Sequence, residues 1–304
     1  MRKFLLSTMI LLFGLVLIAC DEDTTNNDNP IKVYTRDTNS GTRGAFFEII
    51  GLADLGGSNE GLAEGYVEVS SNGDMMSSVK NDANGIGYIS LSGLATSGLK
   101  GLNFNGVEAT EANVLNNTYS LKRPFMYVRK AEADITSDIE KQLVNAFLAY
   151  MNSKDGKEII ANNDGIVEGL DSAPEWDDIK ADHAAALAEG DDVEIHFGGS
   201  TSVEKIGRAL SESFATIAPR FKPMHAHSGS GAAYTGTRAD GNLHLGFASR
   251  ELKDTEKVDG EFGQVAWDAV VIVVNNQNTL ANITTEQIQA IFTGETKNWQ
   301  GLAS

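Results

Sequence analysis

Short β-branched runs alternate with amphipathic stretches along most of the chain. Residues 32–35, 86–91, 124–128, 193–197 and 265–274 are apolar enough, and short enough, to predict strands. Between them the apolar positions fall at helical spacing. Ile139, Leu143, Phe147 and Met151 share one face of a helix predicted over 135–151. Ile206, Leu210, Phe214 and Ile217 do the same over 203–217, as do Ile288 and Phe292 over 284–292. A further helix is predicted over 44–52, entered through Ser40, Gly41 and Thr42. Strands alternating with helices argue for an α/β fold. One stretch breaks the rhythm: residues 171–192 are acidic, alanine-rich and contain Pro174, which predicts a partly helical connector with few core positions. The chain shows no internal repeat.

The first residues follow another pattern. Arg2 and Lys3 precede an apolar run over 4–18 whose polar interruptions are Ser7 and Thr8. That run is shorter than the roughly 20 apolar residues needed to span a bilayer, and it reads as the core of a secretory signal. Leu17, Ile18, Ala19 and Cys20 then match a bacterial lipoprotein signal, cut before a cysteine that becomes acylated. Cys20 is the only cysteine in the chain. The plainer alternative is a free cysteine at the end of a signal anchor. The lipoprotein reading predicts a signal peptide over 1–19 and lipidation at Cys20. It places the folded part outside the cytoplasm, on the cell surface or periplasmic face of a bacterial membrane. Residues 21–30 are acidic, rich in Asn and Thr and lack apolar side chains, so 20–30 is expected to be a flexible tether. The formal charge of −18 disfavours nucleic acid and anionic lipid surfaces as partners. Any bound anion must then be held by local groups and not by the global field. The remaining length suits one large domain or two modest lobes.

Three loops carry a common chemistry. Residues 36–43 (Arg-Asp-Thr-Asn-Ser-Gly-Thr-Arg) and 198–202 (Gly-Gly-Ser-Thr-Ser) each join a predicted strand to a predicted helix. Residues 228–231 (Ser-Gly-Ser-Gly) precede a weaker helical stretch. The first turn of a helix leaves N–H groups unpaired and favours negative charge, and glycine lets backbone approach a ligand closely. Several such ends meeting at one point would solvate an oxyanion with neutral donors. Each loop alone is more simply read as ordinary capping and turn chemistry; three together shift the balance.

Eight segments carry a family resemblance: VYTRDTNSGTRGAFFEIIG, GIGYISL, YSLKRPF, GGSTSVEKIGRAL, SGSGAA, GFASRELKD, WDAVVIVVNN and LANITTEQIQAIFTGETKNWQ. Together they resemble the phosphate-binding proteins of high-affinity phosphate ABC importers, over about 31–168 and 193–304. In that family the segments similar to 198–300 come first, so the resemblance implies a circularly permuted order with its join near 171–192; a fragment of a tandem protein is the rival explanation. The implied fold is a two-lobed, type II periplasmic-binding-protein-like α/β fold. One lobe is split over 31–122 and 269–304, the other continuous over 123–268, with strands crossing near 121–125 and 267–270.

The resemblance also implies the ligand set. Ser40, Gly41 and Thr42 would donate to phosphate, Arg36 would supply the one positive side chain, and Ser200, Thr201, Ser202, Ser230 and Ser249 would complete the donors. Phosphate at neutral pH still carries a proton, so a selective site needs an acceptor that sulfate cannot satisfy. One branch of the family places an aspartate directly after an Ala-Ser pair; this chain has Ser249 and Arg250 there, which leaves Asp268 as the candidate. The implied partners are inorganic phosphate, a membrane permease and the membrane itself through a lipid anchor, with no cofactor and no metal. The alternatives are a binding protein for another oxyanion such as sulfate, or a non-transport lipoprotein, adhesive or phosphatase-like, on the same scaffold. His225 and His227 share a strand face as a metal pair would, but a structural or solvent-facing pair is the better reading. No Gly-x-Ser-x-Gly frame surrounds Ser40 or Ser230, which argues against a serine hydrolase.

Overall fold

The computed structural model describes residues 29–302. The expected signal peptide, Cys20 and most of the 20–30 tether lie outside the described residues. Eleven strands follow in chain order: β1 (Lys32–Arg36), β2 (Val67–Val69), β3 (Gly85–Ser90), β4 (Lys100–Gly101), β5 (Asn103–Phe104), β6 (Lys122–Arg129), β7 (Val193–Gly199), β8 (Phe221–His227), β9 (Leu245–Ala248), β10 (Phe262–Val274) and β11 (Asn282–Ile283). Nine of them form one mixed sheet, ordered β2-β1-β3-β10-β6-β9-β7-β8 with β4 also on β10; β5 and β11 pair separately.

β10 organises this sheet. Residues 262–269 pair antiparallel with β6, and residues 270–274 pair antiparallel with β3. Val270 to Val274 are all fully buried, and alternate ones join apolar clusters on opposite faces of the sheet. An unbroken β-branched run is what a strand covered on both faces requires. Two aromatic cores lie to either side. One packs Phe46 on Tyr88, with ring centroids 4.2 Å apart, against Phe47 and Phe292. The other gathers Phe147, Phe197, Phe214 and Phe221 under the helix Asp138–Asn152 and the helix Glu204–Ala215. β6 and β10 are the strands that run from one core to the other.

Several elements differ from expectation. The first helix is Gly41–Ile49, starting three residues before the predicted 44, because the Ser40 side chain caps it by accepting from the Arg43 N–H. The predicted inward position of Ile217 is not found: the helix stops at Ala215 with Thr216 as its cap, and Ile217, past the end, is 37% exposed. The acidic connector does contribute to a core, through Trp176, which packs edge-on against Tyr150. The helix Asn72–Lys80 and strand β8 fall outside the predicted elements. β8 is a sheet edge in which half-buried Pro223, His225 and His227 alternate with exposed Lys222, Met224 and Ala226. None of the described helices is long and apolar enough to cross a membrane.

Candidate functional site

The C-terminal ends of β1 and β7, the loop after β8 and the residue after β9 converge. Gly41 opens its helix directly against the opposite side of the cleft. A Cβ there would collide with Ser230 Oγ and lie 3.0 Å from Ser249 Oγ. Gly199 is likewise required, with φ at +96° and the Phe247 backbone against it. The hydroxyls form a connected group. Ser200 Oγ donates to Ser249 Oγ at 2.9 Å, Ser230 Oγ lies 3.3 Å from Ser249 Oγ, and Ser249 N donates to Ser230 Oγ at 2.9 Å. Across from them Thr42 Oγ1 meets Ser202 Oγ at 2.9 Å. Gly231 N donates to the Asn39 carbonyl at 3.1 Å, closing the rim.

Two buried arginines near this group behave differently. Arg43 is fully engaged: Nε, Nη1 and Nη2 donate to the carbonyls of Leu55, Arg36 and Ser58. Arg36, 1% exposed, uses only Nη2, toward the Ser70 carbonyl at 2.9 Å and Thr201 Oγ1 at 3.4 Å, with the Asp37 carboxylate 3.6 Å away. Its Nε and Nη1 are buried with no partner. Burial lowers its pKa below the ordinary range, and the nearby Arg123 charge adds to this while Asp37 opposes it. A buried guanidinium with unpaired donors costs free energy unless something accepts from it. Serine and threonine hydroxyls beside it complete a donor set suited to an anion.

The expected residues Arg36, Ser40, Gly41, Thr42, Ser200, Thr201, Ser202, Ser230 and Ser249 therefore lie along one cleft. Asp268 is fully buried, but not alone. Its Oδ2 accepts from Arg123 Nε at 2.9 Å, Arg123 Nη2 at 2.8 Å and Ser90 Oγ at 2.8 Å. Its Oδ1 has no partner. Burial raises the Asp268 pKa, and Arg123 and Ser90 act against that rise. A second arginine, Arg123, is thus buried behind the hydroxyl group, paired with Asp268. Arg123, 2% exposed, also donates Nη1 to the Ser249 carbonyl at 3.1 Å. Its signal in the sequence was an arginine directly before the apolar run 124–128, a charge seldom buried without a partner.

Beside the hydroxyl group opens a cavity of about 610 Å³ whose lining includes Ser40, Gly44, Gly231 and Arg250. Arg250 is bidentate to Glu256, at 2.7 and 2.8 Å, so it orients an acid on the rim. The histidine pair lies behind the serine loop. His225 Nδ1 is 3.1 Å from His227 Nε2, and His227 Nδ1 donates to the Ser200 carbonyl at 3.1 Å. Burial, with His227 alongside, pushes the His225 pKa down to about 3, and burial lowers that of His227 as well; through its bond to the Ser200 carbonyl the pair buttresses the loop. Among the described residues no group of three or more His, Cys, Asp or Glu side chains is placed to hold a metal ion.

Similarity to known proteins extends along the whole chain. A model of the PBP superfamily domain matches residues 182–304. "Phosphate-binding protein PstS 2" of Streptococcus agalactiae serotype V is 29% identical over 312 residues, 100% of each chain. "Phosphate-binding protein PstS 2" of Streptococcus pneumoniae serotype 4 is 29% identical over 304 residues, 98% of each. A crystal structure of a phosphate ABC transporter phosphate-binding protein from S. pneumoniae TIGR4 superposes with a TM-score of 0.66 at 29% identity, covering 90% of this chain and 100% of that one.

Proposed function

We propose that this chain, homologous along its whole length to the phosphate-binding proteins of ABC importers, captures inorganic phosphate in the cleft between its two cores and presents it to a membrane permease. The observation that carries this reading is Arg36, a buried guanidinium with two unpaired donors beside converging Ser and Thr hydroxyls. The helix Gly41–Ile49 begins at the same point, and its first N–H groups have no intrahelical acceptor. Phosphate oxygens would accept from the Ser40-Gly41-Thr42 turn and Arg36 on one side, and from Ser200, Thr201, Ser202, Ser230 and Ser249 on the other. Hydroxyls that now bond one another would turn to the ligand, and Asp268 would accept the phosphate proton through Oδ1.

The lobes would divide as 31–122 with 269–304, and 123–268, hinged on β6 and β10; support comes from the two cores those strands connect. A permuted order with its join near 171–192 is supported by the superfamily match beginning at residue 182, inside the acidic connector. Lipidation at Cys20, with the folded part held outside the cytoplasm, rests on the signal pattern alone.

A ligand that binds only the folded state raises its stability by mass action. Phosphate at about a hundred times its dissociation constant should add about 2.7 kcal/mol, read as a rise in the thermal midpoint of residues 21–304. Sulfate at equal ionic strength should leave the midpoint where it was. Equal shifts with both anions would make this a general oxyanion receptor; no shift with either would remove the phosphate reading.

A further inference from the structure

The buried Arg123–Asp268 pair does more than neutralise itself. Arg123 reaches the carboxylate from β6 through two nitrogens, and Ser90 reaches the same oxygen from β3. All three donors fall on Oδ2, which leaves Oδ1 as an acceptor without a partner in a fully buried setting. The third Arg123 nitrogen, Nη1, holds the carbonyl of Ser249, whose hydroxyl joins Ser200 and Ser230. One side chain therefore connects the proton acceptor to the donor cluster. The other groups around the pair are Arg36 on β1, Tyr88 on β3 and Tyr119 ahead of β6, so Arg123 is the cation in contact with the carboxylate.

We propose that Arg123 is a positioning residue that sets the choice between protonated and fully deprotonated oxyanions, by holding Asp268 ionised with one oxygen free. This inference rests on the phosphate reading above. A fully buried carboxyl without its cation favours the neutral acid. A protonated Asp268 would be a donor as well as an acceptor. It would then satisfy sulfate, which lacks a proton, as readily as hydrogen phosphate. The selectivity of the cleft thus depends on a residue that need not touch the ligand. A purely structural arginine would, when replaced, weaken both anions together and leave their ratio unchanged.

The test is calorimetric titration of phosphate and of sulfate into the wild-type protein, Arg123→Gln and Arg123→Lys, from mildly acid to neutral pH, with anion-free melting measured alongside. In Arg123→Gln the phosphate-to-sulfate affinity ratio should fall by about tenfold or more, the scale of one hydrogen bond to a charged group. Sulfate binding should strengthen as pH falls. Arg123→Lys, which keeps the charge but loses the fork that fixes the carboxylate, should lower the ratio severalfold, less than Arg123→Gln does. A ratio and pH profile in Arg123→Gln equal to wild type would overturn the proposal. If Arg123→Gln does not fold, Arg123→Lys decides: a severalfold fall in the ratio supports the role, and an unchanged ratio overturns it. Failure of the wild-type protein to bind phosphate would instead sink the functional reading itself.

Discussion

Arg36→Ala should weaken phosphate binding about a hundredfold while leaving anion-free stability little changed. The expectation follows from where the guanidinium's donors point. Nε and Nη1 are buried without partners, so the anion-free protein already bears their desolvation, and removing the side chain relieves that cost. Against this stands the loss of one bond to the Ser70 carbonyl and a long one to Thr201. The anion-bound state has no such compensation. It forfeits two charge-assisted hydrogen bonds, together about 3 kcal/mol, or roughly a hundredfold in affinity. Titration calorimetry reads the first quantity and thermal melting the second. Arg43→Ala is the natural contrast, because all of that guanidinium's nitrogens bond backbone carbonyls; its loss should appear in melting. Wild-type affinity in Arg36→Ala would show that the unpaired donors do not face the ligand.

Asp268→Ala should produce the largest loss of stability. It leaves Arg123 fully buried with Nε and Nη2 unpaired, and Ser90 Oγ without its carboxylate. Breaking one side of a buried ion pair costs about 3–5 kcal/mol, because the surviving charge cannot reach water. At roughly 2–4 °C per kcal/mol for a chain of this size, the midpoint should fall by about 10 °C. Replacing both residues by leucine should recover much of that loss, since the isolated charge is then gone. If Asp268→Ala melted like wild type, water would have to reach Arg123, and the cleft floor would not be the dry setting on which proton reading depends.

Much of this was legible in the sequence because the two signals are local. The β10 run from Val270 to Val274 must be covered on both faces, and it is. The Ser40-Gly41-Thr42 turn must cap a helix, and it does, three residues earlier than apolar spacing alone predicted, since spacing cannot see a capping hydrogen bond. What the sequence hid depends on pairings between distant residues. Ser200, Ser230 and Ser249 read as ordinary turn residues until β7, β8 and β9 bring them within one hydrogen-bonded group. Asp268 was legible as a carboxylate on a crossing strand, but its partner was not. Arg123 is 145 residues away in the chain, and only the antiparallel register of β6 on β10, which sets Arg123 opposite Asp268, makes the pair. Ile217 failed for the reverse reason: its spacing was helical, but the helix had already ended.

The central claim is that the cleft takes one phosphate, held by donors from both sides and selected by its proton. Titration calorimetry of residues 21–304 with phosphate, repeated with sulfate at matched ionic strength, tests this most directly. One site saturating with phosphate, and far weaker heat from sulfate, is the predicted result. A flat phosphate titration on cooperatively folded protein, or sulfate binding as tightly as phosphate, would contradict it.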